Sequence, residues 1–449
     1  MMACLPLALM ALGLAFVSCE EPDNGGGGTT TFTVTFNLNG GSGTAPSAQP
    51  VKDGESITLP GGSGLTRSGY IFGGWNTKND GTGTDYSAGS SYTVTGNITL
   101  YAKWIDPEIQ VPGESLAEKL QWLVSNAESN GAYVLELSTA YESIGPQTLS
   151  YTGRRNISVR LRGSGNSARV VELSSNGSLF TIENGVTLIL DNNIALSGRS
   201  GNETSVIRIN SGGTFTMSGG TISGNTTYDA VSSYGGGVSV NGGTFTMSGG
   251  TISGNAGGVS VGSGTFTMNG GTISGNTASN YGGGFGGVSV GSGTFTMSGG
   301  TIFGNSSYRG GGVYVDSGTF TMSGGTISGN AASSSSYTGN AYGGGVYVSG
   351  GTFNMSSGEI SGNTASNYGG GVYVYGTFNK TGGTIYGYDA NDTVNSNVVK
   401  NSSGVVLSDR GHAVNGGTVN GVELHRETTA GPGVNLYRGS TSYSGGWGF

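Results

Sequence analysis

The sequence contains few of the residues on which catalysis, metal binding and nucleic-acid binding depend. Only 10% of the 449 residues are charged, the net charge at pH 7 is −8, and there are two histidines. Nucleic acid is bound by basic faces that neutralise phosphates, so this balance excludes it as an expected partner. Both cysteines lie within the first 19 residues, and we therefore expect no disulfide in the mature chain.

Glycine, by contrast, accounts for 92 residues, and its order is periodic. Between residues 212 and 363 the chain repeats Gly-Gly-Thr-Phe-Thr-Met-Ser-Gly-Gly-Thr-Ile-Ser-Gly-Asn, then a variable insert, then Gly-Gly-Gly-Val-x-Val. The phenylalanines of the copies are Phe215, Phe245, Phe266, Phe295, Phe320 and Phe353, followed by Phe378 in a degenerate copy. Self-similarity at this spacing indicates a repeat architecture rather than disorder.

The shortest copy, which begins at Phe245, is 21 residues long. Phe245 and Met247 lie two residues apart and therefore share one face of a strand. Ile252 marks a second short strand, and Val259 and Val261 mark a third. Three short strands separated by glycine corners are typical of the three sides of one coil. We therefore predict an all-β fold, a right-handed parallel β-helix solenoid.

One coil buries too little apolar surface to fold alone, so coils must stack and align equivalent side chains. Stacking at about 4.8 Å predicts buried columns of phenylalanine and of methionine. The methionines are Met217, Met247, Met268, Met297, Met322 and Met355. The corner asparagines are expected to form a structural ladder of hydrogen bonds. They are Asn225, Asn255, Asn276, Asn305, Asn330 and Asn363.

The inserts between each corner asparagine and the next glycine run vary from one residue, Ala256, to twelve, Ala331–Tyr342. Since this variation falls at one corner, stacked coils must project the inserts along one edge, where repeat proteins commonly bind. The alternative is that insertions are merely tolerated there. The sequence does not decide between these two interpretations.

Tyrosines are the candidate binding residues at this edge. One group directly precedes the glycine runs, with Tyr308 one position earlier: Tyr234, Tyr281, Tyr342 and Tyr368. A second group replaces the outward serines of earlier coils: Tyr314, Tyr347 and Tyr373. We expect the rings to form a shallow, uncharged aromatic strip suited to sugar faces or an apolar protein groove. The alternative is that the rings only shield the strand edge.

Catalysis on a β-helix would need clustered carboxylates with Arg or Lys, often around Ca²⁺. From residue 201 to residue 380 the charged residues are Glu203, Arg208, Asp229, Arg309, Asp316, Glu359 and Lys380. None lies between Asp229 and Arg309, and His412 and His425 lack a metal-ligand spacing. We therefore predict no catalytic, cofactor-binding or metal-binding residues.

The first 18 residues form an apolar run typical of a cleaved secretion signal rather than of a membrane-spanning helix. Phe16-Val17-Ser18-Cys19 resembles a bacterial lipoprotein cleavage box, with phenylalanine where leucine is commoner. The resemblance implies that Cys19 becomes a lipidated N-terminus, followed by a flexible tether to Thr31. The alternative is an ordinary signal peptide with an incidental cysteine.

Three aromatic strand motifs follow between residues 32 and 104. They are Val34-Thr35-Phe36-Asn37-Leu38, Gly69-Tyr70-Ile71-Phe72-Gly73-Gly74-Trp75 and Ile98-Thr99-Leu100-Tyr101-Ala102-Lys103-Trp104. In this order they resemble the Listeria–Bacteroides repeat, also called the internalin B-repeat. The resemblance implies a small β-grasp-like module of bacterial surface proteins that serves as a spacer or adhesive element. We expect Trp75 and Trp104 in its core.

A helix is expected between this module and the solenoid. Ser115 and Glu118 form a capping box, and an apolar stripe continues to about Asn126. The stripe consists of Leu116, Leu120, Leu123 and Val124. A helix at this place would cover the open first coil of the solenoid.

Less regular strands precede and follow the repeats. Leu188, Leu190 and Ile194 are expected to continue the Phe, Met and Ile columns into earlier coils. We expect Val405–Leu407 in a last coil and Asn415–Phe449 in a C-terminal cap. The predicted boundaries are 1–18 (signal peptide), 19–31 (lipidated cysteine and tether), 32–104 (repeat module), 105–114 (linker), 115–385 (capped solenoid) and 386–449 (last coil and C-terminal cap).

Together these features predict a monomeric, lipid-anchored rod of the cell envelope, at the outer membrane or cell surface. It would act in adhesion or recognition of glycans or partner surface proteins, without catalysis and without a cofactor. Two alternatives remain open, a polysaccharide lyase or hydrolase built on a β-helix and an inert structural stalk or coat protein.

Overall fold

The computed structural model describes residues 30–81, 83–105, 108–226, 236–278, 285–333, 341–388, 391–401, 403–407, 410–419, 422–426, 436–438 and 441–443. For residue 105 and from residue 417 onward it describes the backbone only. The chain divides into two compact units, one that ends at Pro107 and one that begins at Glu108. Each unit is described by itself.

The first unit is a small β module. Its strands are β1 (Thr31–Asn37), β2 (Gln49–Lys52), β3 (Ser56–Thr58), β4 (Ile71–Asn76), β5 (Asp85–Tyr86), β6 (Ser91–Thr93) and β7 (Ile98–Ile105). Five of them form a sheet in the order β2-β1-β7-β4-β5, and β3 pairs with β6. The pair β1–β7 is parallel and the other pairs are antiparallel. The three aromatic motifs therefore form adjacent strands.

Aromatic side chains fill the core of this module. Trp75 is fully buried, and its indole Nε1–H donates to the carbonyl of Pro60 at 2.9 Å. Phe36 and Phe72 pack on it with ring centroids 4.8 and 5.3 Å away. Trp104 is half-buried, packs against the same core and donates to the carbonyl of Leu38. Both tryptophans therefore serve the core, as predicted.

The second unit is a stack of parallel coils. Before the repeats its strands are β8 (Ile109–Gln110), β9 (Ala132–Leu137), β10 (Tyr141–Ile144), β11 (Gln147–Leu149), β12 (Ile157–Gly163), β13 (Arg169–Leu173), β14 (Phe180–Ile182), β15 (Val186–Leu190), β16 (Ile194–Ser197) and β17 (Ile207–Ile209). In the repeats they are β18 (Thr214–Met217), β19 (Thr221–Ser223), β20 (Val238–Met247), β21 (Thr251–Ser253), β22 (Val259–Met268), β23 (Thr272–Ser274), β24 (Val288–Val290), β25 (Thr294–Met297), β26 (Thr301–Phe303), β27 (Ser306–Ser307), β28 (Val313–Val315), β29 (Thr319–Ser328), β30 (Ala331–Ala332), β31 (Val346–Val348), β32 (Thr352–Ser361), β33 (Thr364–Ala365), β34 (Val372–Val374), β35 (Thr377–Lys380) and β36 (Thr384–Ile385). The last strands are β37 (Val398–Val399), β38 (Val414–Val419), β39 (Val422–Arg426), β40 (Leu436–Arg438) and β41 (Thr441–Tyr443).

Equivalent positions of successive repeats pair in register, which confirms the parallel β-helix. Phe245, for example, pairs with Phe215 on one side and with Phe266 on the other. The phenylalanine rings stack face to face, with centroids 4.6–5.1 Å apart, and all are fully buried. The glycine runs are needed because coils approach closely there. A Cβ on Gly237 would lie only 2.6 Å from Cγ2 of Ile252 in the next coil.

The corner asparagines form the expected ladder, and it is longer than predicted. Each is fully or almost fully buried. The amide of Asn276 accepts from the backbone N–H and Nδ2 of Asn255, both at 3.1 Å, and donates to Asn305 at 3.0 Å. Asn202 and Asn397 extend the same series beyond the repeats, at its two ends. The ladder therefore satisfies buried amides along the whole repeat region.

The helix α1 spans Leu116–Asn126 and begins with the predicted capping box. Its side chains Leu116, Leu120 and Leu123 are buried in the same core as the coil residue Tyr133. Val124 is 57% exposed, so the prediction that it belongs to the apolar stripe is wrong. The helix contributes its leucines to the core of the first coils, as a cap requires.

Three details of the coils differ from the sequence-based predictions. Leu188 and Leu190 pair with Phe215 and Met217 as expected, but Leu196, not Ile194, pairs with Ile222. The Ile column follows the Met column by six residues here, from Leu190 to Leu196, and by five in the repeats, from Met217 to Ile222. The four-residue spacing of Leu190 and Ile194 therefore does not match the coil.

The other two differences concern the ends. Strand β8 lies inside the predicted linker, residues 105–114, and pairs in parallel with β9. At the other end, residues 405–407 do not form a coil, because Val406 makes an antiparallel bridge to Lys400. The last coil is instead formed by β37, which pairs with β33, and by β38, which pairs with β34 and β35.

Candidate binding face

The outward tyrosine column is produced by the strands that follow the glycine runs. In β24, β28, β31 and β34 the two valines are fully or almost fully buried, so the residue between them lies on the opposite face. These residues pair in register as Ser289, Tyr314, Tyr347 and Tyr373. The predicted replacement of serine by tyrosine within one column is therefore confirmed.

A second column lies immediately before the glycine runs. Arg309 pairs with Tyr342, and Tyr342 pairs with Tyr368, both through parallel bridges. The N–H of Gly369 bonds to the carbonyl of Arg410, which continues the same column by one more step. Two tyrosines are thus bracketed along the stack by two arginines.

The rings of these two columns form one contiguous group, here called the tyrosine cluster: Tyr314, Tyr342, Tyr347, Tyr368 and Tyr373. The closest pair is Tyr342 and Tyr373, with centroids 4.6 Å apart and planes 24° apart. Tyr347 lies 5.3 Å from Tyr373 and 5.5 Å from Tyr314. Tyr368 lies 6.0 Å from Tyr342. The cluster spans three successive coils.

Mutual packing leaves the rings only partly accessible. Tyr347, at the centre of the cluster, is 7% exposed, and the other four are half-buried. Burial raises the pKa of Tyr314 and of Tyr373 above the usual tyrosine value. The hydroxyl of Tyr314 donates to Oδ1 of Asp316 at 3.0 Å.

The cluster is not the uncharged strip that the sequence predicted. The guanidinium carbon of Arg410 lies 4.6 Å from the ring centroid of Tyr368, and its Nη1 donates to Asn367 at 3.2 Å. The guanidinium carbon of Arg309 lies 6.0 Å from the ring centroid of Tyr347. Both distances are within the range of cation–π attraction. The sequence did not place these arginines beside the rings because each belongs to a different insert or loop, outside the repeated phrase.

Tyr308 lies elsewhere. Its ring packs against a small separate core of Ala332, Ala341, Ala365 and Val399. Ala332, Ala365 and Val399 belong to a separate four-stranded sheet, β27-β30-β33-β37, formed by the residues that directly follow the corner asparagines. Because Arg309 takes the position before the glycine run, Tyr308 does not join the tyrosine cluster. Tyr234, Tyr281 and Cys19 lie outside the described residues.

The earlier coils carry a charged group that precedes residues 201–380, the range over which the sequence predicts no catalytic cluster. The Nε of Arg160 lies 2.6 and 2.9 Å from the two carboxylate oxygens of Glu108, and its Nη1 lies 3.4 Å from Asp191. Arg162 pairs with Glu136 at 2.8 Å. The alternation of arginines along β12 could have revealed this group from the sequence.

The described residues offer little for metal or proton chemistry. Within them there is no group of three or more His, Cys, Asp or Glu side chains that could hold a metal ion. His412 is buried, its Nδ1 accepts the N–H of Val399 at 2.9 Å, and burial lowers its pKa to about 4. It is therefore a neutral structural acceptor at pH 7. In the same described part of the chain, every helix is too short or too polar to cross a membrane.

Comparison with known proteins finds short similarities to two proteins of Evansella cellulosilytica. One, provisionally named a Gly-rich membrane protein, is 33% identical over 101 residues, which are 22% of this chain and 10% of that protein. The other, provisionally named a membrane protein, is 39% identical over 64 residues, 14% and 10% of the two chains. The chain thus spans about a tenth of the length of these relatives. No solved structure matches.

The first unit has a more specific match. Its adjacent aromatic strands β1, β7 and β4 carry the motifs that resembled a known repeat. Residues 32–103 match the Listeria-Bacteroides repeat domain.

Proposed function

We propose that this chain is a cell-surface protein whose solenoid recognises a glycan or a partner surface through the tyrosine cluster, without catalysis. The observation that carries this proposal is the contiguity of five rings over three coils, with centroid distances of 4.6–6.0 Å between neighbours. Clustered tyrosines combine apolar ring faces with polar hydroxyls, the combination that recognition surfaces use.

Stacking of the coils does not itself require these rings. Serine occupies the same outward column in the three preceding coils, at Ser239, Ser260 and Ser289, and those coils pair in the same register. The tyrosines of the last coils are therefore an addition to the fold. Shielding of the strand edge would account for buried Tyr347 but gives no reason for the outward column to change from serine to tyrosine after Ser289.

The location at the cell surface is supported by two observations. The first unit holds a Listeria-Bacteroides repeat domain, and the similar proteins are provisionally named membrane proteins. We propose that lipid on Cys19 anchors the mature chain to the envelope, as an outer-membrane or cell-surface lipoprotein. The single solenoid unit is proposed to act as a monomer.

Lipidation is tested by Triton X-114 partitioning of cells that produce the full chain. The wild type and the control Cys4→Ser should enter the detergent phase, whereas Cys19→Ser should move to the aqueous phase. Cys4 is the matched control because it is the chain's other cysteine and lies in the predicted signal peptide. Identical partitioning of the three proteins would contradict the anchor.

Recognition is tested by binding of the purified protein to a glycan and mucin array and to partner cells. The triple variant Tyr314→Ser, Tyr347→Ser, Tyr373→Ser should lose binding but still fold, because serine already occupies this column in the preceding coils. Tyr141→Ser, an exposed tyrosine of an early coil, is the matched control and should bind normally. Unchanged binding by a folded triple variant would remove the tyrosine cluster from the recognition surface.

A glycan-cleaving enzyme is the second candidate, and one observation favours it. Arg160 brings together the carboxylates of Glu108 and Asp191 on early coils, and paired carboxylates can cleave glycosidic bonds. Both carboxylates are, however, neutralised by the same guanidinium. If the protein is such an enzyme, it should release reducing ends from bound polysaccharide. The variant Glu108→Gln should then no longer release them. Binding without release would favour the non-catalytic function over the enzyme. The third reading, an inert stalk or coat, requires that no glycan and no cell is bound.

A further inference from the structure

Arg309 is exposed, and in the described part of the chain its guanidinium lies beside aromatic rings. Its guanidinium carbon lies 5.5 Å from the ring of Tyr308 and 6.0 Å from that of Tyr347. Among the residues that the structure describes, no carboxylate lies within ion-pair distance of it. Its charge is therefore available to a ligand that lies on the tyrosine cluster.

The surroundings make this charge unusual. No residue between Asp229 and Arg309 is charged, so the arginine stands at the end of a long neutral stretch. Arg309 and Arg410 lie beside the tyrosine cluster, and the carboxylate of Asp316 already accepts from Tyr314. The two arginines are three stacking steps apart, about 14 Å at about 4.8 Å per step. The tyrosine rings lie between them.

We propose that this face recognises an acidic polysaccharide, with sugar rings on the tyrosine cluster and an acidic group on Arg309; the inference rests on the proposed function of the cluster. Aromatic faces accept the apolar face of a sugar, and a guanidinium binds a carboxylate or sulfate in a bidentate manner. A neutral sugar would need the rings alone. The paired cations add the charge complementarity that an acidic chain requires.

The net charge of −8 limits how an acidic polymer can bind to this protein. An acidic polymer is repelled by the protein as a whole, so nonspecific electrostatic attraction does not bring it to the surface. Binding must then depend on local contacts with the face. The part of the affinity that Arg309 supplies, measured as the ratio of wild type to Arg309→Gln, should fall as salt screens the contact between the guanidinium and the acidic group.

The test compares polygalacturonate with its fully methyl-esterified, neutral form, which has the same sugar backbone. Affinity of the purified protein for each polymer is measured over a range of salt concentrations. We expect the acidic form to bind at least about tenfold tighter, and Arg309→Gln to remove about tenfold of that affinity, because a hydrogen bond between charged groups is worth at least this factor. The variant should bind the neutral form as the wild type does.

Arg208→Gln is the matched control. Arg208 is also exposed and lies in the same outward column as Tyr314, four stacking steps earlier, about 19 Å away at the usual spacing. The Arg208→Gln variant removes the same charge and should leave the affinity for polygalacturonate unchanged. Equal losses in the two variants would overturn the proposal, because they would show a general charge effect.

Two further outcomes separate this inference from the proposed function. If both polymers bind equally and the triple tyrosine variant abolishes binding, the acidic preference is wrong while recognition by the cluster stands. If no polysaccharide and no partner cell is bound by the folded protein, both are wrong. An unchanged melting temperature for Arg309→Gln ensures that a loss of binding reflects the missing charge.

Discussion

The early coils, β9 to β17, and the repeats, β18 to β36, share one architecture but are held together in different ways. The early coils pack unlike aliphatic side chains such as Leu135, Val159 and Leu188 and pair arginines with carboxylates on their outer face. The repeats have few charges and place identical residues above one another. Their core is a set of columns in which each side chain packs against the same type of residue in the neighbouring coil.

This difference shows two ways in which neighbouring coils achieve complementary packing. Parallel stacking requires neighbouring side chains at one height to have complementary shapes. Copies of one phrase meet this requirement at every position at once, whereas unlike coils must meet it position by position. Identity also aligns polar groups, which is why buried amides form a continuous ladder in the repeats. The four predictions that follow test this comparison, from the largest expected effect to the smallest.

The largest effect should come from breaking a column of like rings. Phe295 is fully buried and stacked on both sides, at 4.7 Å from Phe266 and from Phe320. Phe295→Ala should lower the free energy of unfolding by about 3–5 kcal/mol, because flanking rings held in register cannot collapse into the cavity. Thr296→Ala, on the outer face of the same strand, should change it by less than about 0.5 kcal/mol. Urea titration measures both; similar losses would mean that the faces of the strand are reversed.

The next effect should come from the asparagine ladder. Asn276→Ala removes the acceptor of two N–H groups of Asn255 and leaves the carbonyl of Ile252 without its amide donor. Buried groups that lose their partners should cost about 2–4 kcal/mol in unfolding free energy. Ser274→Ala, two residues earlier and half-buried, is the control and should be nearly neutral. If Asn276→Ala is as mild as the control, water replaces the amide and the ladder is not a source of stability.

A third prediction concerns the last coil. There a single buried side chain, His412, accepts the hydrogen bond, and not a residue repeated from coil to coil. Its pKa is about 4 in the folded protein, against about 6.5 in an unfolded chain. The neutral imidazole therefore stabilises the fold fully above pH 6.5, and this contribution is lost as the pH falls toward 4, up to roughly 3 kcal/mol. His412→Asn keeps an acceptor that does not titrate in this range. The variant should lose less stability than the wild type between pH 7 and pH 4, and parallel pH curves would contradict the assignment.

The smallest effect is expected at the opposite end, where α1 covers the early coils. The hydroxyl of Ser115 accepts the N–H of Glu118, whose carboxylate accepts the N–H groups of Glu114 and Ser115 in return. Ser115→Ala should destabilise by about 1 kcal/mol, and Ser125→Ala, exposed in the last turn, by much less. Thermal unfolding followed by circular dichroism can resolve the two. Equal melting temperatures would show that the cap is held by its buried leucines alone.

Much of this protein is determined by spacing within short stretches of sequence. The helix α1 follows from a capping box and a leucine stripe, and the columns of Phe, Met and Asn follow from repetition itself. In both cases the residues that must meet are related by a local rule or by a constant period, so no knowledge of distant contacts is needed. The placement of Tyr314, Tyr347 and Tyr373 in one outward column belongs to the same class.

Contacts that depend on the paths of corners and inserts were decided only by the tertiary structure. The corner after Leu190 places Leu196, and not Ile194, in the Ile column. The insert before Arg309 directed Tyr308 into a separate small core, and a loop of the last coil brought Arg410 onto Tyr368. Corner and insert lengths follow no period, and their paths are set by packing against neighbouring coils. The tertiary structure therefore decides that arginines lie beside the tyrosine cluster. The outward column of tyrosines, by contrast, can be predicted from the sequence.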